Sequence, residues 1–346
     1  DAAAGCFGKA CEMSATVPSR DASTPAFGPL FDLIRHDLAK VEELLRAQLR
    51  SSDPFVDQLV KHGFRLGGKR LRPALLLLAA MAVGGVGSAH VTLAVVMEMI
   101  HTATLVHDDV LDEATLRRHL ETVNSRWGNK PSVLLGDFLF SQAFFLSATL
   151  DDAAACRRIG RATNIVCEGE MRQINSRGRL DLGEAEYLEI IDAKTAELCA
   201  CCCELGSRFA GASDEAQRAL IAYGRNLGIA FQIVDDLLDL EGDEARTGKS
   251  LGTDLEQLKP TLPIIRMLAQ LDAEERSAVV ELLGSSQGRR REALIPWLHR
   301  TDGLSYARDT AERYASRAQA ALDTLPAGPP RNTLHALAEA VVRRES

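Results

Sequence analysis

Six aspartates in two clusters carry the strongest chemical signal in this chain of 346 residues. Asp108, Asp109 and Asp112 stand at i, i+1 and i+4 within residues 98–118, EMIHTATLVHDDVLDEATLRR. Asp235, Asp236 and Asp239 repeat the pattern within residues 231–239, FQIVDDLLD. Two turns of small and apolar residues precede the first cluster, which predicts a buried helix rather than a loop. On that helix Asp108 and Asp112 lie one turn apart on one face, about 5–6 Å between Cβ atoms. Carboxylates this close repel one another and lose hydration unless a cation or base compensates. Hard oxygen ligands at this spacing suit Mg²⁺, which takes a few carboxylates and adds water and substrate phosphates. A single cluster fits a charged turn on a solvated helix face as well as it fits a metal site. The second copy, equally apolar in setting and also flanked by bases, argues against a surface accident.

The elements that must position these residues are helices. Alanine and leucine dominate, and period-two runs of β-branched and aromatic residues are scarce, so the chain reads as all-α. From Leu30 one amphipathic stretch follows another. Phe31 to Arg50 is helical, and Asp53-Pro54 opens the next helix. Arg65 to Pro73, RLGGKRLRP, is a basic turn that leads into the apolar run Ala74–Val83. Thr92 to Glu113 carries the first acidic cluster. Gly128 to Pro131 is a turn, after which Ser132 is expected to cap a helix over 133–150. Residues 152–176, 182–210 and 214–240 are further helices, and the last carries the second cluster. Residues 242–261 form a polar loop, and about four helices complete the chain. The organisation expected is a tail over 1–29, polar and broken by Gly and Pro, and one helical domain over 30–346. Met13-Ser14-Ala15 reads as a natural translation start, so part of the tail is expected to be foreign to the native protein, and the sequence leaves open whether residues 1–12 belong to it.

Composition narrows the partners. A net charge of −8 argues against nucleic acid and requires metal ions to bridge acidic protein to any anionic substrate. The tail lacks the basic start and apolar core of a secretory signal. Ala74–Val83 is the nearest approach to a spanning segment and stops well short of about 20 residues, so a soluble protein without a transmembrane segment is expected. Cys199, Cys201, Cys202 and Cys203 crowd one helix, where disulfides between neighbours are geometrically poor. They read as small buried thiols in a reducing cytoplasm.

Residues 68–73 (GKRLRP), 101–118, 194–195 (KT) and 231–263 together resemble the trans-type polyprenyl diphosphate synthases, in the family's order and from about Leu30 to near the C-terminus. The resemblance implies one large antiparallel helical bundle of the terpenoid synthase type around a central cavity, and a homodimer. It implies substrates too: an allylic diphosphate and isopentenyl diphosphate, joined with about three Mg²⁺ ions per site to ionise the allylic C–O bond. By resemblance Asp108, Asp112 and Asp235 hold the ions, and Asp109, Asp236 and Asp239 support them. Arg117, Lys194, Lys249 and Lys259 hold the allylic diphosphate. Lys69, Arg72, His101 and Arg118 form a metal-free pocket for isopentenyl diphosphate, with Arg70 facing away. Thr195, Gln232 and the Lys194 carbonyl face the allylic cation, and Glu170 and Gln173 lend hydrogen bonds. Asp137 pairs with a buried base or is structural. Outside this motif set, Arg117 and Arg118 would read as solvated and His101 as a satisfied core histidine.

Product length follows from what lies beneath Asp108. Thr104, Ile100 and Met97 recur there at helical spacing, with Ala103 beside Thr104. Short-product relatives carry bulky aromatics four or five residues before the first Asp, and this chain has small residues at both positions. Each added five-carbon unit gains roughly 3–4 kcal/mol on burial, so a steric floor must stop growth, giving about 30 to 50 carbons, as for a quinone side chain delivered at a membrane. Phe138, Phe140, Phe144 and Phe145 are the candidate floor residues. One departure stands out: Gln257-Leu258-Lys259 replaces the family's usual acid-Gly-Lys. A shorter-chain (geranylgeranyl or farnesyl) diphosphate synthase, a terpene cyclase and a regulatory subunit of a heteromeric synthase are the competing readings. Cyclases mix Asn, Ser or Thr into the second cluster, and regulatory subunits lose acidic residues, whereas both clusters here are intact.

Overall fold

The computed structural model describes residues 28–66, 68–242, 251–285 and 288–344. The tail expected over 1–29 therefore lies outside the described residues, except that Gly28 and Pro29 open a 3₁₀ turn, Gly28–Ile34. Helices follow: α1 (Arg35–Gln48), α2 (Pro54–Arg65), α3 (Leu71–Val83) and α4 (Ser88–Leu111). Asp53 caps α2 by accepting from the Phe55 and Val56 amides, with Pro54 in the first turn. After α4 comes a hairpin that the residue pattern did not announce, β1 (Leu116–Arg117) and β2 (Leu120–Glu121). Its two turn residues, Arg118 and His119, take φ of 52° and 62°, the double left-handed geometry of a tight type I′ turn.

Then come α5 (Val123–Trp127), α6 (Asn129–Ala148), α7 (Ala153–Ser176) and α8 (Glu184–Ile191). Helix α6 starts earlier than expected, because Pro131 suits a first turn, and Ser132 is buried inside the helix instead of capping it. The helix expected over 182–210 is broken by a π segment, Asp192–Ala196, before α9 (Glu197–Phe209). Helix α10 (Asp214–Glu241) carries the second acidic cluster. The chain ends with α11 (Thr253–Glu256), α12 (Leu262–Gln270), α13 (Ala273–Ser285), α14 (Arg290–Arg300), α15 (Gly303–Ala321) and α16 (Pro329–Arg343).

Two apolar clusters hold these helices together, and α10 runs through both. Leu220, Tyr223 and Leu227 belong to the larger, built mainly on α1 to α7, α9 and α16. Ile229, Ile233 and Leu237 belong to the other, built on α8 and α12 to α15. Rotation along one helix thus presents a face to each core in turn and leaves the cavity beside its C-terminal third. Helices α4 and α6 are long and apolar enough to cross a membrane by length and composition, a property that scanning for unbroken apolar runs overlooked. Two-thirds of the α4 window is buried in the core, against 39% of the α6 window.

The crowded cysteines are free and buried, and burial raises their thiols above the ordinary cysteine value. Their small side chains let α9 approach its neighbours closely. At Gly206 the approach reaches backbone, because a Cβ there would overlap the Leu76 carbonyl on α3. Gly206→Ala should therefore destabilise the fold by about 1–3 kcal/mol, read from urea unfolding. An unchanged midpoint would mean that α3 and α9 can separate without cost.

Candidate active site

Helix α4 runs apolar until its final turn, where Asp108 and Asp109 appear, and Asp112 caps its C-terminal end. A cavity of about 760 Å³ opens there, and α10 presents Asp235, Asp236 and Asp239 to the same space. Lys69, Arg72, His101, Arg117, Arg118, Lys194, Thr195, Gln232 and Lys259 line it too. The structure thus brings together every sequence-derived site residue that it describes. Lys249 lies outside the described residues.

The six aspartates differ sharply in surroundings. Burial pushes Asp108 up to about 6, although Lys194, 3.8 Å away, pulls in the opposite direction. Asp109 is buried and takes Arg117 Nε at 2.9 Å. Asp112 is held by Arg177 at 2.8 Å and by Lys259 at 3.1 Å to each oxygen, while Gln257 donates to its main-chain carbonyl at 3.0 Å. Asp235 meets Arg344 at 2.6 Å. Asp236 accepts from the Tyr187 hydroxyl at 2.6 Å and from Gln232 Nε2 at 2.8 Å. Burial, followed by the charge of Asp254, still pushes it up to about 8. Asp239 accepts from the Thr253 and Asp254 amides at 3.3 and 3.1 Å. Asp108, Asp109, Asp112 and Asp235 each meet a cationic side chain, whereas Asp236 accepts from two neutral side chains and Asp239 from two backbone amides.

The bases fall into two sets. Lys194 reaches Glu170 and donates to Gln173 Oε1 at 2.6 Å. Burial disfavours its ammonium, but Asp108 and Glu170 outweigh that and raise its pKa above the ordinary lysine value. The second set surrounds His101, which burial and the charges of Arg72 and Arg118 hold well below its usual pKa, as a neutral imidazole. Arg72 Nε is buried without a hydrogen-bond partner, and Arg118 donates to the Leu66 carbonyl at 3.3 Å. A Cβ on Gly68 would meet the Arg118 guanidinium, which would have to shift to admit it. Arg70, expected to face away, is engaged by Glu42 and Glu98. Thr195 donates to Gln232 Oε1 at 2.7 Å, joining the π segment to α10.

Sequence reasoning missed Arg177, Tyr187, Gln257 and Arg344. The last had a faint signal in the Arg343-Arg344 pair that ends α16, but nothing placed it on Phe231, whose ring centroid lies 3.8 Å from its guanidinium carbon. The cavity also departs from the shaft expected beneath Asp108. Thr104 lines it, but Ile100 and Met97 are sealed in the core, and the apolar wall turns toward Phe140, Val166, Cys167, Met171 and Ile174. Of the four candidate floor residues, Phe140 alone lines the cavity. Phe138 packs on the core, and Phe144 and Phe145 are exposed.

The polyprenyl synthetase family model matches residues 53–296. Octaprenyl diphosphate synthase of Escherichia coli (strain K12) is 38% identical over 315 residues, which cover 91% of this chain and 98% of that protein. A decaprenyl diphosphate synthase from Rhodobacter capsulatus superposes with a TM-score of 0.86 at 39% identity, covering 92% of this chain and 99% of that one. A polyprenyl synthase from Caulobacter crescentus CB15, complexed with calcium and isoprenyl diphosphate, gives 0.87 at 37% identity, covering 94% and 99%.

Tyr187→Phe removes a donor from a fully buried carboxyl. The expected cost is about 1–3 kcal/mol, seen as a lower unfolding midpoint; no change would mean that Asp236 finds another donor.

Proposed function

The chain belongs to the polyprenyl synthetase family, and we propose that it extends an allylic diphosphate with successive isopentenyl diphosphates to a long-chain polyprenyl diphosphate. The observation that carries this reading is one cavity in which two acidic clusters face two separate sets of bases. One set suits a leaving diphosphate and the other a diphosphate that is retained. Residues from Gly68 to Arg344 line that cavity, which supports treating 30–346 as one catalytic domain.

The donor set fits Mg²⁺. Asp108, Asp112 and Asp235 offer hard oxygens whose partners are cations of the chain itself. Among the described residues no three acidic, histidine or cysteine side chains converge to hold an ion alone, so water and diphosphate oxygens must complete any coordination shell. Bound Mg²⁺, about three ions by family resemblance, would neutralise charge as diphosphate departs. Asp109, Asp236 and Asp239 would act behind the three ligands, as the family resemblance implies.

The chain's own residues do the rest. Lys194, Lys259 and Arg117 are placed to hold the allylic diphosphate, and Lys69, Arg72, Arg118 and neutral His101 to hold isopentenyl diphosphate. Thr195 and Gln232 turn oxygens toward the allylic carbon, with the Lys194 carbonyl beside them. The apolar wall keeps water from the cation. No side chain is needed as the final base, since the departing diphosphate can take the proton.

Exposed Leu134 and Phe145 on α6 support a homodimer through that helix. The free thiols support a reducing compartment, taken here as the cytoplasm, with the apolar product passed to a membrane surface. Incubation with farnesyl diphosphate, labelled isopentenyl diphosphate and Mg²⁺ should give long-chain products by mass spectrometry; no extension without a second protein would favour the regulatory-subunit reading. Lys194→Ala should lower turnover about 10²- to 10³-fold, in steady-state assays. Thr104→Phe should shorten the product and Phe140→Ala lengthen it, and unchanged lengths in both would refute the wall assigned here.

A further inference from the structure

The π segment Asp192–Ala196 is the least ordinary stretch of backbone beside the cavity. Its closing bond runs from the Glu197 amide to the Asp192 carbonyl, five residues back instead of four. Such a wide turn is rare and persists where its surroundings hold it. Here they do so from three sides.

Arg225 on α10 bonds both Asp192 oxygens through NH1, at 2.6 and 2.5 Å, and Glu197 Oε2 through NH2 at 2.6 Å. One guanidinium therefore clasps the residue that opens the wide turn and the residue that follows it. Arg158 on α7 holds the other Glu197 oxygen at 2.7 Å. The backbone is wedged as well: a Cβ on Gly169 would stand 2.6 Å from the Lys194 amide nitrogen, and one on Gly228 2.5 Å from Ala196 Cα. On the cavity side the same five residues present Lys194 to Asp108 and Thr195 to Gln232. Gln232 lies two turns beyond Arg225 on α10, so the clasp sets the register between the wide turn and the helix bearing the second acidic cluster.

Stability alone explains this poorly. Arg225 and Asp192 are about a third exposed, and pairs of that kind add little to folding; the buried Glu197 on the other arm keeps Arg158 as a partner when Arg225 is replaced. A planar fork spanning two carboxylates has geometric value that a point charge lacks.

We propose that Arg225 is a positioning residue for prenyl transfer: by stapling the two ends of the wide turn it aims Lys194 and Thr195 at the reacting end of the allylic substrate. The inference rests on the prenyl-transfer reading above.

Wild-type, Arg225→Gln, Arg225→Lys and Asp192→Asn proteins should be compared for kcat, for KM of isopentenyl diphosphate and for the fraction of sites that bind pyrophosphate with Mg²⁺. Misaimed groups predict a kcat about tenfold to a hundredfold lower in Arg225→Gln and Arg225→Lys, with a smaller loss in Asp192→Asn. The isopentenyl KM should stay within twofold, because that subsite stands on α3, α4 and the hairpin. The pyrophosphate-binding fraction and the melting temperature should match wild type. Should Arg225→Gln fail to fold, Asp192→Asn carries the test, since it removes one arm of the clasp and spares the Glu197 pair. A kcat within twofold of wild type, a loss matched by an equal loss of binding sites, or full activity in Arg225→Lys would overturn the staple. Wild-type protein that fails to extend the substrate would instead refute the prenyl-transfer reading itself.

Discussion

Everything in this protein answers to one electrostatic problem: six aspartates from two helices meet in a cavity where several of them are buried. Like charges in a low-dielectric space repel strongly and cannot stay ionised without compensation. The chain solves the problem residue by residue. Arg117 pairs with Asp109, Arg177 and Lys259 with Asp112, and Arg344 with Asp235. Tyr187 and Gln232 donate to Asp236 instead, and backbone amides cap Asp239. Four of the six acids thus rest on cations of the chain, which a divalent ion could replace, and the other two accept from neutral donors.

Backbone features beside the cavity follow from the same need. A helix alone cannot aim Arg117 and Arg118 back toward the end of α4. The two-residue turn at Arg118 and His119 reverses the chain within one hairpin and does so. The π segment performs the equivalent service for Lys194 and Thr195 on the opposite wall. Both devices are strained or rare locally, and both lie against helices whose packing is ordinary. Local cost is concentrated where groups must point inward, and the two apolar clusters offset it.

Much of this was legible in the residues because helical spacing is rigid. An i, i+4 pair of aspartates after an apolar run leaves few alternatives, and bases at fixed offsets on the same helix inherit its geometry. What escaped was everything that helical spacing does not govern. Two-residue strands lie below any periodic signal, and a π segment differs from α-helix by one hydrogen bond. Arg344 reaches Asp235 across more than a hundred residues of chain, a contact no local pattern encodes. The floor assignment failed for another reason. Helix α6 is apolar nearly all round, so nothing in its sequence separates Phe140, on the cavity, from Phe145, on the surface.

The departure at Gln257-Leu258-Lys259 turns on backbone conformation. Leu258 has a φ of +54°, in the region that favours glycine, where an L side chain costs roughly 1–2 kcal/mol. The family's usual glycine there therefore has a conformational reason, and the leucine here needs one of its own. Its side chain packs on the apolar cluster under α8 and α10, and its carbonyl accepts the Gly178 amide at 2.8 Å. That bond ties the loop after α7, which carries Arg177, to the loop that carries Lys259. Gln257 adds a third tie by donating to the Asp112 carbonyl, a contact that an ionised acid at that position could not make. Leucine and glutamine together thus hold the strained turn in place, and Lys259 keeps its position on Asp112 despite the altered residues before it.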